Sequence, residues 1–360
     1  MTASLYRDLY QIGSVAGIRA VLFRVALAVA LPLIGGVLLG HPVAAVCGGA
    51  TALFVTLSDV GNRAGVRLGT MLAGWMLIVL GGTLGHLLGD TPYGREAVVL
   101  LAALVAGWAS GSHPGIAAVT RFFAVATAAG AGMRFHDPDV LLNVLLGGVS
   151  ALVTALAVWG WFRIPSHQNY MDWRAGVRRA YHGADAGVRF ALCYAAAAAV
   201  ALFAASALGV KESFWATLVV LMVMRREGIA CLELTIHYAL GTIVGVVASA
   251  AVLRFVSDPL ALAVLATLVA AFARVGFSLN PCLGYTSFTM FLLFIEQVIA
   301  GGGAAIPHMF ETRLYDVSVG SVLALAGTLA AIYPRFSPAP TVAPRHKERS
   351  GPAGRPHSQQ

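Results

Sequence analysis

Charge is what this sequence has least of. Only 11% of its 360 residues are Asp, Glu, Lys or Arg, against about 25% in a soluble globular domain. A chain that is 58% hydrophobic has too few polar side chains to cover itself, which excludes an ordinary water-soluble domain. Cysteine is scarce: Cys47, Cys193, Cys231 and Cys282 form no CxxC pair. All four lie in or beside apolar runs and read as small buried hydrophobes, not metal ligands. No GxxxxGK[ST] loop occurs, so the chain carries no nucleotide-hydrolysing P-loop. HExxH, GxSxG and paired-carboxylate patterns are missing too. No enzyme, cofactor or metal site is therefore expected. The opening stretch, residues 1–20, is too polar for a cleavable signal peptide. The net charge of +8 comes from segment ends and the tail, which suits anionic lipid and gives no case for nucleic acid.

What is present is a succession of long apolar runs. A bilayer span takes ~20 apolar residues, and the chain supplies about a dozen runs near that length. Mean hydropathy is +0.79. The expected fold is an all-α polytopic membrane protein of about 12 transmembrane helices, arranged as two parallel six-helix repeats. Spans are expected at 20–39, 43–57, 66–88, 96–110, 115–133 and 140–162, then at 188–208, 213–224, 235–256, 259–276, 282–300 and 314–334. The second and fourth look short, as half-helices beside a transport site do, and as tilted helices do. The domain divisions are a polar lead 1–18, a first repeat 19–162, a connector 163–187, a second repeat 188–334 and a disordered tail 335–360.

Charge sets the orientation. Arg7, Arg19, Arg63, Arg67, the cluster from Arg163 to Arg189, Arg225, Arg226, Arg274 and the basic tail all fall on one side. The opposite side holds Arg95, Arg134, Lys211, Arg254 and Arg313, several with acidic neighbours such as Glu311. Lys and Arg mark the cytoplasmic side, so both termini are expected inside. Six spans per unit is an even number. Both units then enter the membrane from the same face, related by an axis along its normal, with a substrate path between them. Arg24 with Arg189, and Leu68-Gly69-Thr70 with Leu240-Gly241-Thr242, read as counterparts in the two units. Gly36/Gly40, Gly81/Gly85/Gly89 and Gly241/Gly245 stand at four-residue spacing. Helices that slide and plain close packing both account for them.

FWATLVVLMV at 214–223, the charged turn Arg225-Arg226-Glu227-Gly228, and HYALGTIVG at 237–245 resemble the fusaric acid resistance family of bacterial inner-membrane proteins, grouped with the aromatic acid exporters. Glu311-Thr312-Arg313 leading into Val319-Gly320 fits as well. The resemblance implies an inner-membrane exporter of aromatic carboxylic acids and related organic anions. A plant family of anion channels, the aluminium-activated malate transporters, shares a related six-helix unit. Two features depart from the family pattern. His237 and Tyr238 stand where an arginine is expected before Gly241-Thr242, and only a connector and a tail replace a sizeable cytoplasmic domain.

An anion crossing lipid needs positive charge or oriented donors along its path. Arg24 and Arg189 are the substrate candidates near the cytoplasmic side, with lipid anchoring as the other reading. Arg121 lies deeper, and Asp59 is a candidate partner for it. Trp215 and Tyr238 suit an aromatic substrate, and equally a membrane interface. Glu296, the one acid well inside an expected span, and His237 are the candidates for proton coupling. Gly69, Thr70, Gly241, Thr242 and Gly245 are the gating or packing candidates. A proton-driven secondary exporter, a passive organic-anion channel and a structural partner without flux all stay open. A homo-oligomer and a periplasmic adaptor protein stay open as partners.

Overall fold

The computed structural model describes residues 17–60, 64–91, 93–112, 114–132, 139–162, 178, 187–207, 214–302 and 306–332. Among these residues there are twelve helices and no strand. They are α1 (Ile18–Leu38), α2 (Pro42–Leu57), α3 (Ala64–Gly89), α4 (Gly94–Ala109), α5 (Pro114–Gly132), α6 (Asp139–Phe162), α7 (Gly187–Ala207), α8 (Phe214–Val223), α9 (Gly228–Leu253), α10 (Pro259–Leu279), α11 (Pro281–Ile299) and α12 (Ile306–Ile332). Nine of the described helices are long and apolar enough to cross a bilayer. Lipid offers no hydrogen bonds, so a spanning backbone must satisfy itself within the helix. Buried hydroxyls do the same by donating back one turn, as Thr51 does to the Cys47 carbonyl at 2.8 Å and Thr267 to that of Ala263 at 2.9 Å. Phe203, Val247, Val322 and Leu329 are exposed, as a surface bathed in hydrocarbon permits. The protein is a multi-pass membrane protein.

Turn chemistry fixes where helices begin. Pro42, Pro259 and Pro281 open α2, α10 and α11, where a missing N–H costs nothing. Asp258 caps α10 by accepting from the Ala261 amide at 2.7 Å. Asn280 alone joins α10 to α11, its side chain accepting from the Cys282 amide at 2.8 Å. Two helices start earlier than the apolar runs suggest. α9 begins at Gly228 instead of 235 because Glu233 is carried on a partly exposed face. α12 begins at Ile306 instead of 314 because Arg313 finds a carboxylate across the bundle. The polar lead, nearly all of the connector and the tail lie outside the described residues, as do Arg63, Arg134 and Lys211.

Helix neighbours recur at an offset of six. α1 packs on α2 and α6, and α7 packs on α8 and α12. α3 packs on α5 as α9 does on α11, and α4 on α5 as α10 does on α11. Between the two sets, α4 meets α7 and α10 meets α1, while α5 meets α8 and α11 meets α2. Small residues let these backbones approach. A Cβ at Gly85 would lie 2.2 Å from the Thr127 carbonyl oxygen on α5. One at Gly245 would lie 2.8 Å from that of Thr286 on α11. The pair Gly36/Gly40 is not one stripe. Gly36 packs on Ala45, whereas Gly40 sits beyond α1 in the turn, at φ 83°.

The inner positions fall to the short helices. α2 has 16 residues and α8 only 10. Each contacts the opposite set, through α11 and α5 respectively. Both run alongside an enclosed space that the helices around them complete.

Candidate functional site

That space is a cavity of about 690 Å³, within the ~300–1,000 Å³ usual for small-molecule sites. Four helices of the first set (α2, α3, α5, α6) and four of the second (α8, α9, α11, α12) line it. Its walls are mostly apolar. Aromatic pairs mark one boundary: Phe54 lies 5.2 Å from Phe122 and 6.1 Å from Phe288, and Tyr238 lies 4.5 Å from Tyr285. Toward the other end, His86 of α3, Asp90 just past its end, and Arg313 and Asp316 of α12 enter the lining.

Arg313 is the cation of this cavity wall. Its guanidinium carbon sits 3.5 Å from the centroid of the Trp215 ring, close enough for a strong cation–π contact. The guanidinium also donates to the Glu296 carboxylate of α11. Arg313 is 6% exposed, and Asp316, one turn further along α12, is also buried. In the sequence Arg313 reads as an outer charge beside Glu311. The structure gives it Glu296 instead and leaves Glu311 exposed. One signal for this pairing was present: an acid alone inside an apolar helix requires a cation nearby.

The sequence candidates separate into distinct environments. Trp215 and Tyr238 both line the cavity. Thr242 does too, and the Thr289 hydroxyl of α11 stands 3.5 Å from its own. Glu296 lies half-buried behind the lining, on Arg313. His237 is buried on α9 but outside the lining, and its Nδ1 has no hydrogen-bond partner among the described residues. Gly241 and Gly245 pack on α11, whereas Gly69 has open space around it. Thr70 is held locally, donating to the Val60 carbonyl at 3.1 Å. The two Leu-Gly-Thr triplets therefore sit at different depths: Gly69 early in α3, Gly241 midway along α9.

Arg24 and Arg189 are also placed differently. Arg24 is fully buried, with Nη1 2.6 Å from Asp59 Oδ2. Arg67 approaches the same carboxylate through Nε at 2.6 Å and Nη2 at 2.7 Å. Burial pushes the Asp59 carboxyl upward, but the Arg67 hydrogen bonds and the charges of Arg24 and Arg274 outweigh it, so it titrates below the usual carboxylate range. Asp59 therefore partners Arg24 and Arg67, not Arg121 as its sequence position suggested. Arg189 is exposed and donates to the Ala330 carbonyl at 2.8 Å, at the end of α12.

Arg121 belongs to a third cluster, beyond the aromatic boundary. It is half-buried and within electrostatic reach of Tyr194 of α7, Tyr285 of α11 and Arg225, which lies just past the end of α8. Arg226 next to it donates from Nε to the Ser110 hydroxyl at 3.0 Å. No metal-binding group of His, Cys, Asp and Glu exists among the described residues.

The class is thus a polytopic helical membrane protein with a cavity between two sets of helices. Residues 198–327 match the family model described as "Fusaric acid resistance protein-like", which supports the resemblance read at 214–245. No curated protein and no solved structure matches the chain. Apolar spans around a cavity, together with this family match, support a transporter-like role.

Proposed function

We propose that the chain is a secondary efflux transporter of small organic anions, aromatic carboxylic acids among them, driven by the proton motive force. The observation that carries this reading is Arg313, stacked on Trp215 in the wall of an otherwise apolar cavity. A carboxylate entering there meets a guanidinium suited to bidentate binding. A substrate ring meets Trp215, Phe214 and Tyr238. The substrate carboxylate then competes with Glu296 for Arg313. Glu296, held on Arg313, is the candidate for carrying the coupling proton.

The six-helix offset among helix neighbours supports a duplicated unit with parallel halves, 19–162 and 188–334, that rock about the cavity. The distribution of arginines supports cytoplasmic termini, and the family match supports a bacterial inner membrane. The aromatic boundary between the cavity and the Arg121 cluster favours alternating access over an open pore.

The test is flux of radiolabelled aromatic and aliphatic acids in proteoliposomes, with and without a pH gradient. Saturable, gradient-driven flux of an aromatic acid, lost in Arg313→Gln, is expected. Flux that follows only the electrochemical gradient of the anion would identify a channel. No flux of any acid would remove the transport reading.

A further inference from the structure

α3 and α6 cross tightly at Trp75 and Gly148, where a Cβ on the glycine would lie 2.1 Å from the indole ring. From that crossing toward the end of α3 and the start of α6, both helices present residues to the central cavity. Gly82, Thr83 and His86 do so on α3, and Leu141 and Val144 on α6.

Exposure singles out this seam. Every lining residue from α2, α5, α8, α9, α11 and α12 is buried or half-buried. The exposed ones are Thr83 and His86 of α3, Asp90 just past it, and Leu141 of α6. A residue that lines a cavity and is also reached from outside stands at its opening. A Cβ at Gly82, between Ile78 and His86 on the same face of α3, would meet nothing within 4 Å. The inner side of the seam is therefore open as well. At the offset of six the matching helices are α9 and α12, and there Tyr238, Thr242, Arg313 and Asp316 line the cavity and are all buried. One seam is shut and its counterpart is not.

The open seam gives onto lipid. Leu80 and Leu87 of α3, and Leu142, Leu145 and Leu146 of α6, are exposed beside it. Both helices are long and apolar enough to span. The seven residues from Leu141 to Gly148 rise ~10 Å, which fits within one leaflet of a ~30 Å hydrocarbon core.

We infer that the cavity opens sideways into the bilayer between α3 and α6, and that it takes amphiphilic carboxylic acids whose alkyl chain extends through this slot into the lipid. The opening stands on the exposure pattern alone. That the ligand is a carboxylic acid rests on the reading of Arg313 above. A chain too long for the cavity loses nothing by lying in the slot, since its far end stays in hydrocarbon.

Cys47 of α2 lines the cavity and is half-buried, so its alkylation reports on access. Cys193 of α7 lies outside the lining and serves as the reference. The full chain in nanodiscs of zwitterionic lipid is treated with N-dodecylmaleimide, which dissolves in the bilayer, and adducts are read by mass spectrometry. Filling the slot with Thr83→Trp and Leu141→Trp together should slow the Cys47 reaction at least tenfold and leave Cys193 unchanged. Gly82→Leu, which adds a side chain where α3 has open space, should slow it too. A Cys47 rate unchanged in both variants overturns the lateral opening. If the double variant also alters the size of the particle in detergent while the rate holds, the face is an interface between copies, and the opening is overturned.

A second arm measures protection of Cys47 from N-ethylmaleimide by octanoate and dodecanoate. Both should protect the unmodified protein. In the double variant dodecanoate should need at least tenfold more, with octanoate shifted less than twofold. Equal shifts for the two acids overturn the placement of the chain in the slot. Slot-dependent alkylation with no protection by any acid supports the opening and overturns the carboxylic acid as its ligand.

Discussion

Arg313 lies between Trp215 and Glu296, with its guanidinium carbon 3.5 Å from the indole centroid and its hydrogen bond to the carboxylate from α11. One side chain thus joins α12 to α8 and to α11 at the cavity wall. A cation held this way has two partners, and a substrate carrying both a ring and a carboxylate can compete for each.

Trp215→Leu should therefore weaken aromatic acids more than aliphatic ones. A cation–π contact is worth roughly 0.5–2 kcal/mol. Apparent affinity for an aromatic acid should fall several-fold, and an aliphatic acid should be nearly unaffected. Competition flux assays with the two acid classes check this, and an equal loss for both would remove Trp215 from ring recognition.

Glu296→Gln should keep substrate binding and uncouple it from protons. The amide still accepts from Arg313 but cannot take up a proton. Counterflow of the acid across vesicles at equal pH should persist, while concentrative transport driven by a pH gradient should be lost. If gradient-driven transport survives in this variant, the proton resides elsewhere, with the buried His237 the next residue to test.

Asp59→Asn should destabilise the protein strongly. It leaves Arg24 buried without its carboxylate, and breaking one side of a buried pair costs about 3–5 kcal/mol. Arg24→Met together with Asp59→Asn should recover much of the loss. The native carboxyl titrates below its ordinary 3.8, so its contribution is complete above that value. It disappears as pH falls through the depressed native value. Melting in detergent should lose this acid-sensitive component in the double variant. Arg189→Ala, which removes an exposed side chain, should melt like the unmodified protein.

Gly85→Ala and Gly69→Ala should behave in opposite ways. A Cβ at Gly85 meets the Thr127 carbonyl oxygen at 2.2 Å, while one at Gly69 meets nothing within 4 Å. The first should lower the melting temperature and the yield of folded protein. The second should be neutral or stabilising, since Ala exceeds Gly in helix propensity by about 1 kcal/mol. Loss of transport in a normally melting Gly69→Ala variant would restore a gating role to that glycine.

The sequence carried further for helices than for sites. The apolar runs located every described helix, because a backbone in lipid must be helical wherever it is continuously apolar. Expected starts failed at α9 and α12, where a charged residue stays helical through its surroundings. Trp215 and Tyr238 were legible as aromatic candidates and do line the cavity. Arg313 was not, because on the sequence its nearest acid is Glu311. Arg24 and Arg189 looked alike because each follows the start of a span.

By itself, the sequence determined a membrane protein of many helices, with most of its arginines at one set of helix ends and one acid, Glu296, isolated within a span. The tertiary structure decided which charges meet: Arg313 with Glu296, and Arg24 and Arg67 with Asp59. The reason is geometric. Local hydropathy and hydrogen bonding make a helix, so neighbouring residues encode it. A pairing between helices depends on the depth and rotation of both, and those are set by close contacts such as Gly85 on Thr127 and Gly245 on Thr286, between residues far apart in the chain.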